Sequence, residues 1–186
     1  VHSFKRRPEG MWLAETAVDT ETLELLSDAG IAFTILSPYQ AKGVRRTGER
    51  EWTDVNGGKI NTRMPYVCPL PSGRKISIFF YDGQISHDLS FSTLLIDGKQ
   101  FADRLMSAFF DSEEPQLVHV ATDGETYGHH YRFSDMALAF CLHHIETSKR
   151  AEITIYGEYL EKHPPTHEVD IIERSSWSCI HGVDRW

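Results

Sequence analysis

Two acids stand where apolar runs end. Glu15 closes Gly10-Met11-Trp12-Leu13-Ala14-Glu15, and Asp123 follows the run 117–121 and opens Asp123-Gly124-Glu125-Thr126-Tyr127-Gly128-His129-His130. An acid at the carboxyl end of a buried strand projects into the mouth of an α/β fold. Two such acids from strands far apart in sequence can face one cleft. Paired carboxylates there are the minimal equipment for breaking a glycosidic bond, one as nucleophile or base and the other as acid. Each residue has a plainer reading beside this one. Glu15 could pair with a buried Arg, and Asp-Gly is a favoured turn in which Asp123 would only cap or bend the chain. Glu125 reads either as a support for a catalytic neighbour or as a first-turn helix acid facing the dipole.

The remaining reactive side chains point less clearly. Ten histidines make a metal worth weighing, but His129–His130 and His143–His144 are contiguous pairs whose rings diverge in regular structure. No Cys/His spacing matches a structural zinc site, so neither metal nor cofactor is expected. Trp177, His181, Arg185 and Trp186 near the C-terminus could supply a sugar subsite or an acid-pairing Arg; the alternative is an anchor to a further domain. Cys179 has no base placed beside it by sequence and is not expected to act as a nucleophile.

These residues need elements to hold them. Met11 to Ala14 reads as a short strand ending at Glu15. Asp19 or Thr20 caps a helix through Leu23, Leu25, Leu26 and Ala29 that Gly30 ends. The run 31–36 is a strand, which completes a βαβ unit with parallel strands. From Ser37 to Arg74 the periodicity fades into a long excursion punctuated by Gly and Pro, where Trp52 and Tyr66 could stack on a ligand or pin the loop. The run 75–81 is a strand ending at Asp82-Gly83. Phe101, Leu105, Ala108 and Phe109 share one helical face. The run 117–121 is the strand that delivers Asp123. A helix from about Asp135 to Thr147, capped by Ser134, turns Met136, Phe140, Cys141 and Ile145 inward. A short helix over 155–162 and a strand over 169–172 close the pattern. Strand and helix alternate, with acids at strand ends. The fold class is therefore α/β, as part of a β/α barrel with parallel strands and flanking helices, and a doubly wound sheet is the alternative.

Composition agrees with a globular domain: 186 residues, 40% hydrophobic, 25% charged. A net charge of −8 argues against a nucleic-acid surface, and the basic cluster Lys42, Arg45 and Arg46 reads as a solvated loop. Three scattered cysteines read as reduced thiols in a cytoplasmic protein. No apolar run reaches membrane length. The ends, at Val1 and Trp186, read as cuts within a longer protein.

At this point the residues resemble a family. Gly10-Met11-Trp12-Leu13-Ala14-Glu15 resembles the Trp-Leu-x-Glu motif that holds the nucleophile in glycoside hydrolase family 57. That family includes α-amylases, 4-α-glucanotransferases and glycogen branching enzymes. Asp123-Gly124-Glu125-Thr126-Tyr127-Gly128-His129 resembles its Asp-(Ala/Gly)-Glu-x-(Phe/Tyr)-Gly-His motif, whose Asp is the general acid/base. The order and separation of the two also fit, and Ile85 to Phe91 resembles the stretch between them. The resemblance implies a retaining double displacement on an α-glucan-like carbohydrate. Glu15 attacks the anomeric carbon, and Asp123 first protonates the leaving oxygen and then activates water or a sugar hydroxyl. Such a mechanism keeps the carboxyls about 5–5.5 Å apart. Trp12, Glu125, His129, Trp177 and His181 are the candidate substrate-binding residues.

Two departures qualify the match. The family's His-Gln-Pro-like motif and a second glutamate motif lie upstream of Val1. The whole chain, 1–186, is therefore expected to be one fragment, the C-terminal part of an incomplete seven-stranded β/α barrel. Its contacts with the absent barrel half and a downstream domain would be intramolecular, and alone it should be inactive. The Ser175-to-Trp186 stretch differs from characterised amylases and resembles an uncharacterised branch with an appended domain of unknown function. The competing functions are a metal-dependent polysaccharide deacetylase-like enzyme and a non-catalytic carbohydrate-binding or scaffold barrel.

Overall fold

The computed structural model describes residues 5–185. Along the chain run β1 (Gly10–Met11), α1 (Thr20–Asp28), β2 (Phe33–Leu36), β3 (Ala41–Arg46), β4 (Thr53–Asp54), β5 (Tyr66–Pro69) and β6 (Lys75–Phe80). These are followed by α2 (Gly83–Phe91), α3 (Gly98–Met106), α4 (Ser134–Ser148), α5 (Tyr156–Lys162) and β7 (His167–Ile171). The chain divides into two compact units: one runs to Phe80 and resumes at Tyr156, and the other comprises Tyr81–Ile155. Among the described residues no helix is long and apolar enough to cross a membrane.

The first unit is a seven-stranded sheet in the order β1-β2-β6-β5-β7-β3-β4. Its β1–α1–β2 segment is the expected right-sized βαβ unit, with Gly10 opposite Phe33 and Met11 opposite Thr34 in parallel register. Asp19 caps α1 by accepting from the Thr22 N–H at 2.8 Å, a contact that satisfies one of the helix's open amides. Leu23 and Leu26 face the core, whereas Leu25 faces solvent. β2 pairs in parallel with β6. Along β6, Ile76, Ile78 and Phe80 join the main core. The opposite face carries Phe79, whose ring lies 5.6 Å from Phe33 and 4.9 Å from Tyr156 between centroids. Burial of both faces explains why this strand reads as a nearly continuous apolar run rather than an alternating one.

The excursion 37–74 is not a loop; it contributes three strands. β5 pairs antiparallel with β6 and in parallel with β7, and β3 pairs antiparallel with both β7 and β4. The parallel part of the sheet is thus joined to an antiparallel part. The basic cluster is corrected with it: Lys42 and Arg45 lie on β3, their cations 2.8 Å from Asp170 and 2.5 Å from Glu168 on β7. Cross-strand charge pairing hides the apolar alternation that would have marked β3 as a strand. Trp52 lies under the Arg45 guanidinium, 4.4 Å from its ring centroid. Tyr66 is buried, and its hydroxyl donates to the Asn61 carbonyl at 2.8 Å. Both pin this region to the sheet.

The second unit is helical. Its core gathers Ile85, Leu89, Leu95, Phe101, Ala102, Ala108, Cys141 and Ile145. Asp82 caps α2 through the Ile85 N–H, and Asp97 caps α3 through the Lys99 and Gln100 N–H groups. Three expectations fail here. Residues 117–121 form no strand. Their extended backbone is held instead by the Asp82 N–H on the His119 carbonyl at 2.9 Å and the Ala121 N–H on Ser86 Oγ at 3.0 Å. In α4, Met136 and Phe140 point largely to solvent, and Ala137, Cys141 and Ile145, spaced by four, form the buried stripe. Ser134 is the buried first residue of α4 rather than its cap; its hydroxyl donates to the Thr126 carbonyl at 2.9 Å.

Candidate active site

Glu15 lies in the first unit, but not at a strand end. β1 stops at Met11, and Glu15 sits in a short 3-10 turn over Ala14–Thr16. Glu15 and Thr16 both have left-handed backbones, with φ of 55° and 50°, a conformation costing non-glycine residues on the order of 1–2 kcal/mol each. Two segments hold this turn. From the turn after β2, the buried Gln40 accepts from Thr16 Oγ1 at 2.8 Å and donates to the Thr16 carbonyl at 2.8 Å and Ser175 Oγ at 3.1 Å. After β7, Ser175 and Val18 exchange backbone hydrogen bonds of 3.0 and 3.2 Å. Two residues on, the Trp177 backbone N–H donates to the Glu15 carbonyl at 3.1 Å, and its indole Nε1–H donates to Glu15 Oε2 at 3.0 Å. Trp12 meets Trp177 edge to face, ring centroids 5.1 Å apart.

The structure therefore brings together Trp12, Glu15 and Trp177 of the candidate set. His181 is exposed, its Nδ1 3.3 Å from Cys179 Sγ. Trp186 and the Arg185 side chain lie outside the described residues. Sequence reasoning missed Gln40 and Ser175, polar residues that read as ordinary turn formers.

Asp123 lies in the second unit, exposed, at the start of a 3-10 turn over Gly124–Thr126. Its side chain makes no capping hydrogen bond, and only its carbonyl engages the turn, accepting from the Thr126 N–H at 3.1 Å. The carboxylate is thus not occupied by the capping role that Asp-Gly sequences often serve. Around it the loop is fixed by Ser86 and Ser134 and by the 3.2 Å contact between Thr122 Oγ1 and Tyr127 Oη. Glu125 is exposed within the turn's first residues, and its carbonyl accepts from the His129 and His130 N–H groups. His129 and His130 are exposed, with ring centroids 5.2 Å apart. Among the described residues no group of three or more His, Cys, Asp and Glu side chains is arranged to hold a metal ion.

The model of glycosyl hydrolase family 57 matches residues 1–172. No curated protein matches the sequence. Among solved structures, the chain is similar to a 4-alpha-glucanotransferase from Thermococcus litoralis, with a TM-score of 0.68, 22% identity and coverage of 91% of this chain and 24% of that one. It is also similar to a branching enzyme of the same family from Pyrococcus horikoshii, with a TM-score of 0.71, 17% identity and coverage of 96% and 41%. An exo-type maltose-forming amylase from Pyrococcus sp. ST04 gives 0.68, 18%, 95% and 30% in the same terms. At these identities the likeness is one of fold, and the chain spans between 24% and 41% of the length of these structures.

Proposed function

The chain belongs to glycosyl hydrolase family 57, and on that premise we propose that it is the part of an α-glucan-active retaining hydrolase or glycosyl transferase that carries Glu15 as nucleophile and Asp123 as acid/base. The similar structures are those of a 4-alpha-glucanotransferase, an exo-type maltose-forming amylase and a branching enzyme. In this reading a Glu15 carboxylate oxygen attacks the anomeric carbon while Asp123 gives its proton to the departing oxygen. Asp123 then takes a proton from water or a sugar hydroxyl, which displaces Glu15. The observation that carries the reading is the treatment of the two acids. Glu15 is half-buried and held through both its backbone and its carboxylate, as a nucleophile must be. Asp123 is exposed and spared from capping, as a group that exchanges protons with substrate must be. The rest of the catalytic barrel and any downstream domain belong, in this reading, to the longer protein.

The test uses the full-length protein and a panel of α-glucans and maltooligosaccharides, following new reducing ends and transfer products. Glu15→Gln should abolish both. Glu15→Ala with azide should restore turnover as a glycosyl azide of inverted configuration. Asp123→Asn should spare substrates with good leaving groups far more than natural glucans. A wild-type protein inactive across the panel, or a Glu15→Gln variant that keeps its activity, would overturn the assignment.

A further inference from the structure

We infer that Trp177 is a positioning residue for the Glu15 carboxylate, acting through its indole N–H rather than as a sugar-stacking surface; this rests on the nucleophile role proposed for Glu15. The loop that carries Trp177 is built to fix it. Residues 174–183 form a closed loop whose ends meet where the Val183 N–H donates to the Arg174 carbonyl at 3.0 Å. Inside it, the Gly182 N–H donates to the Cys179 carbonyl at 2.9 Å, and Ser176 Oγ donates to the same carbonyl at 3.3 Å. The closure requires glycine at position 182: φ there is 57°, and a Cβ would lie 1.7 Å from the Arg174 carbonyl oxygen. At its root, Ser175 is tied to Val18, Gln40 and the Ile172 carbonyl.

From this base Trp177 reaches Glu15 twice, by backbone at 3.1 Å and by indole at 3.0 Å. The double contact fixes the carboxylate relative to its own backbone. A neutral N–H donor suits a nucleophile. It orients one oxygen and stabilises the anion by hydrogen bonding without protonating it, because an indole N–H is far too weak an acid to transfer its proton to a carboxylate. The rings of Trp12 and Trp177 pack in a T-shaped contact with centroids 5.1 Å apart. With this contact and its bond to the carboxylate both made, the Trp177 ring is placed as a brace.

The experiment compares full-length wild type, Trp177→Phe, and a protein with benzothienylalanine at 177, which keeps the bicyclic shape and lacks the N–H. Positioning predicts that both replacements lower kcat about 10- to 100-fold, the worth of one hydrogen bond to a charged group, with KM within about twofold of wild type. A stacking role predicts the opposite split: the benzothienyl protein stays near wild type and Trp177→Phe raises KM. That outcome overturns the inference. Glu15→Gln and azide rescue of Glu15→Ala are measured alongside. If Glu15→Gln retains activity, the nucleophile assignment fails independently of Trp177. If the nucleophile assignment holds and the benzothienyl protein turns over normally, only the inference fails.

Discussion

Replacement of Gln40 by Met tests whether the network around Glu15 carries real free energy. The Gln40 side chain is 1% exposed, and Met fills nearly the same volume without polar atoms. Its Oε1 accepts from Thr16 Oγ1 and the Ser37 N–H, and its Nε2 donates to the Thr16 carbonyl and Ser175 Oγ. Ser175 Oγ keeps its bond to the Ile172 carbonyl at 2.6 Å, so three buried groups lose a partner. At roughly 1–1.5 kcal/mol for each, and with a partial offset from the apolar side chain, the net loss is about 3 kcal/mol. For a chain of this size that corresponds to a fall in Tm of roughly 6–12 °C. Thermal unfolding of wild type and variant reads this directly. Gln84→Met serves as control, since Gln84 is exposed and its single bond reaches Asp88 at 3.0 Å; it should change stability by less than about 0.5 kcal/mol. A Gln40→Met protein melting within about 2 °C of wild type would refute the claim that this residue holds the turn.

Two further outcomes follow from the same structure. The three thiols should react with iodoacetamide in a fixed order, followed by mass spectrometry from pH 7 to 9: Cys179, the most accessible, first, and Cys68 last. Burial pushes the Cys68 thiol up to about 12 and Cys141 up to about 11, so below pH 9 both stay protonated and unreactive, and labelling of Cys68 before Cys179 would contradict the packing. At position 15, Gly should be more stable than Ala by about 1 kcal/mol, because only glycine adopts φ of 55° without steric cost. Denaturant titration that finds Ala the more stable would mean the turn is not strained.

Much of the fold was legible in the sequence because local signals and tertiary packing agree there. Asp19, the Leu23–Leu26 pair and Gly30 mark a helix by capping, periodicity and a left-handed stop, and the structure uses each for that purpose. The run 75–81 read as a strand, and the structure forms one over Lys75–Phe80. The sequence misled where the polar partners are non-local. Lys42 and Arg45 look like loop charges until Asp170 and Glu168 lie across from them on β7. Residues 117–121 have strand composition, yet their hydrogen bonds go to Asp82 and Ser86 instead of a ladder. In α4, Cys141 and Ile145 turn inward as expected but Met136 and Phe140 do not; the small Ala137 shares the buried stripe, and side-chain volume alone misplaced the two larger residues. The two acids stood out as candidates because each follows an apolar run. Gln40 and Ser175 did not, since a buried amide and hydroxyl carry no sequence signal until their partners are in place.

The departure of Glu15 from a strand end is itself informative. A strand could have delivered a carboxylate at low conformational cost, with the position set by the ladder. Here the ladder covers only Gly10 and Met11, and the acid comes four residues after it, in a turn with two consecutive left-handed residues. Such strain persists only where the surroundings determine the conformation from several sides. The surroundings in this case are Gln40 from the turn after β2, and Ser175 and Trp177 from beyond β7, drawn from sequence positions up to 162 residues away from Glu15. Each meets a different group of the turn: the Thr16 carbonyl and hydroxyl, the Val18 backbone, and the Glu15 carbonyl and carboxylate. Together they determine the conformation of the turn from both of its flanking segments. A ladder would have fixed the Glu15 backbone and left its side-chain torsions free. This arrangement fixes the carboxylate oxygen as well, and for the nucleophile role proposed above the placement of that oxygen would govern the rate of displacement at an anomeric carbon.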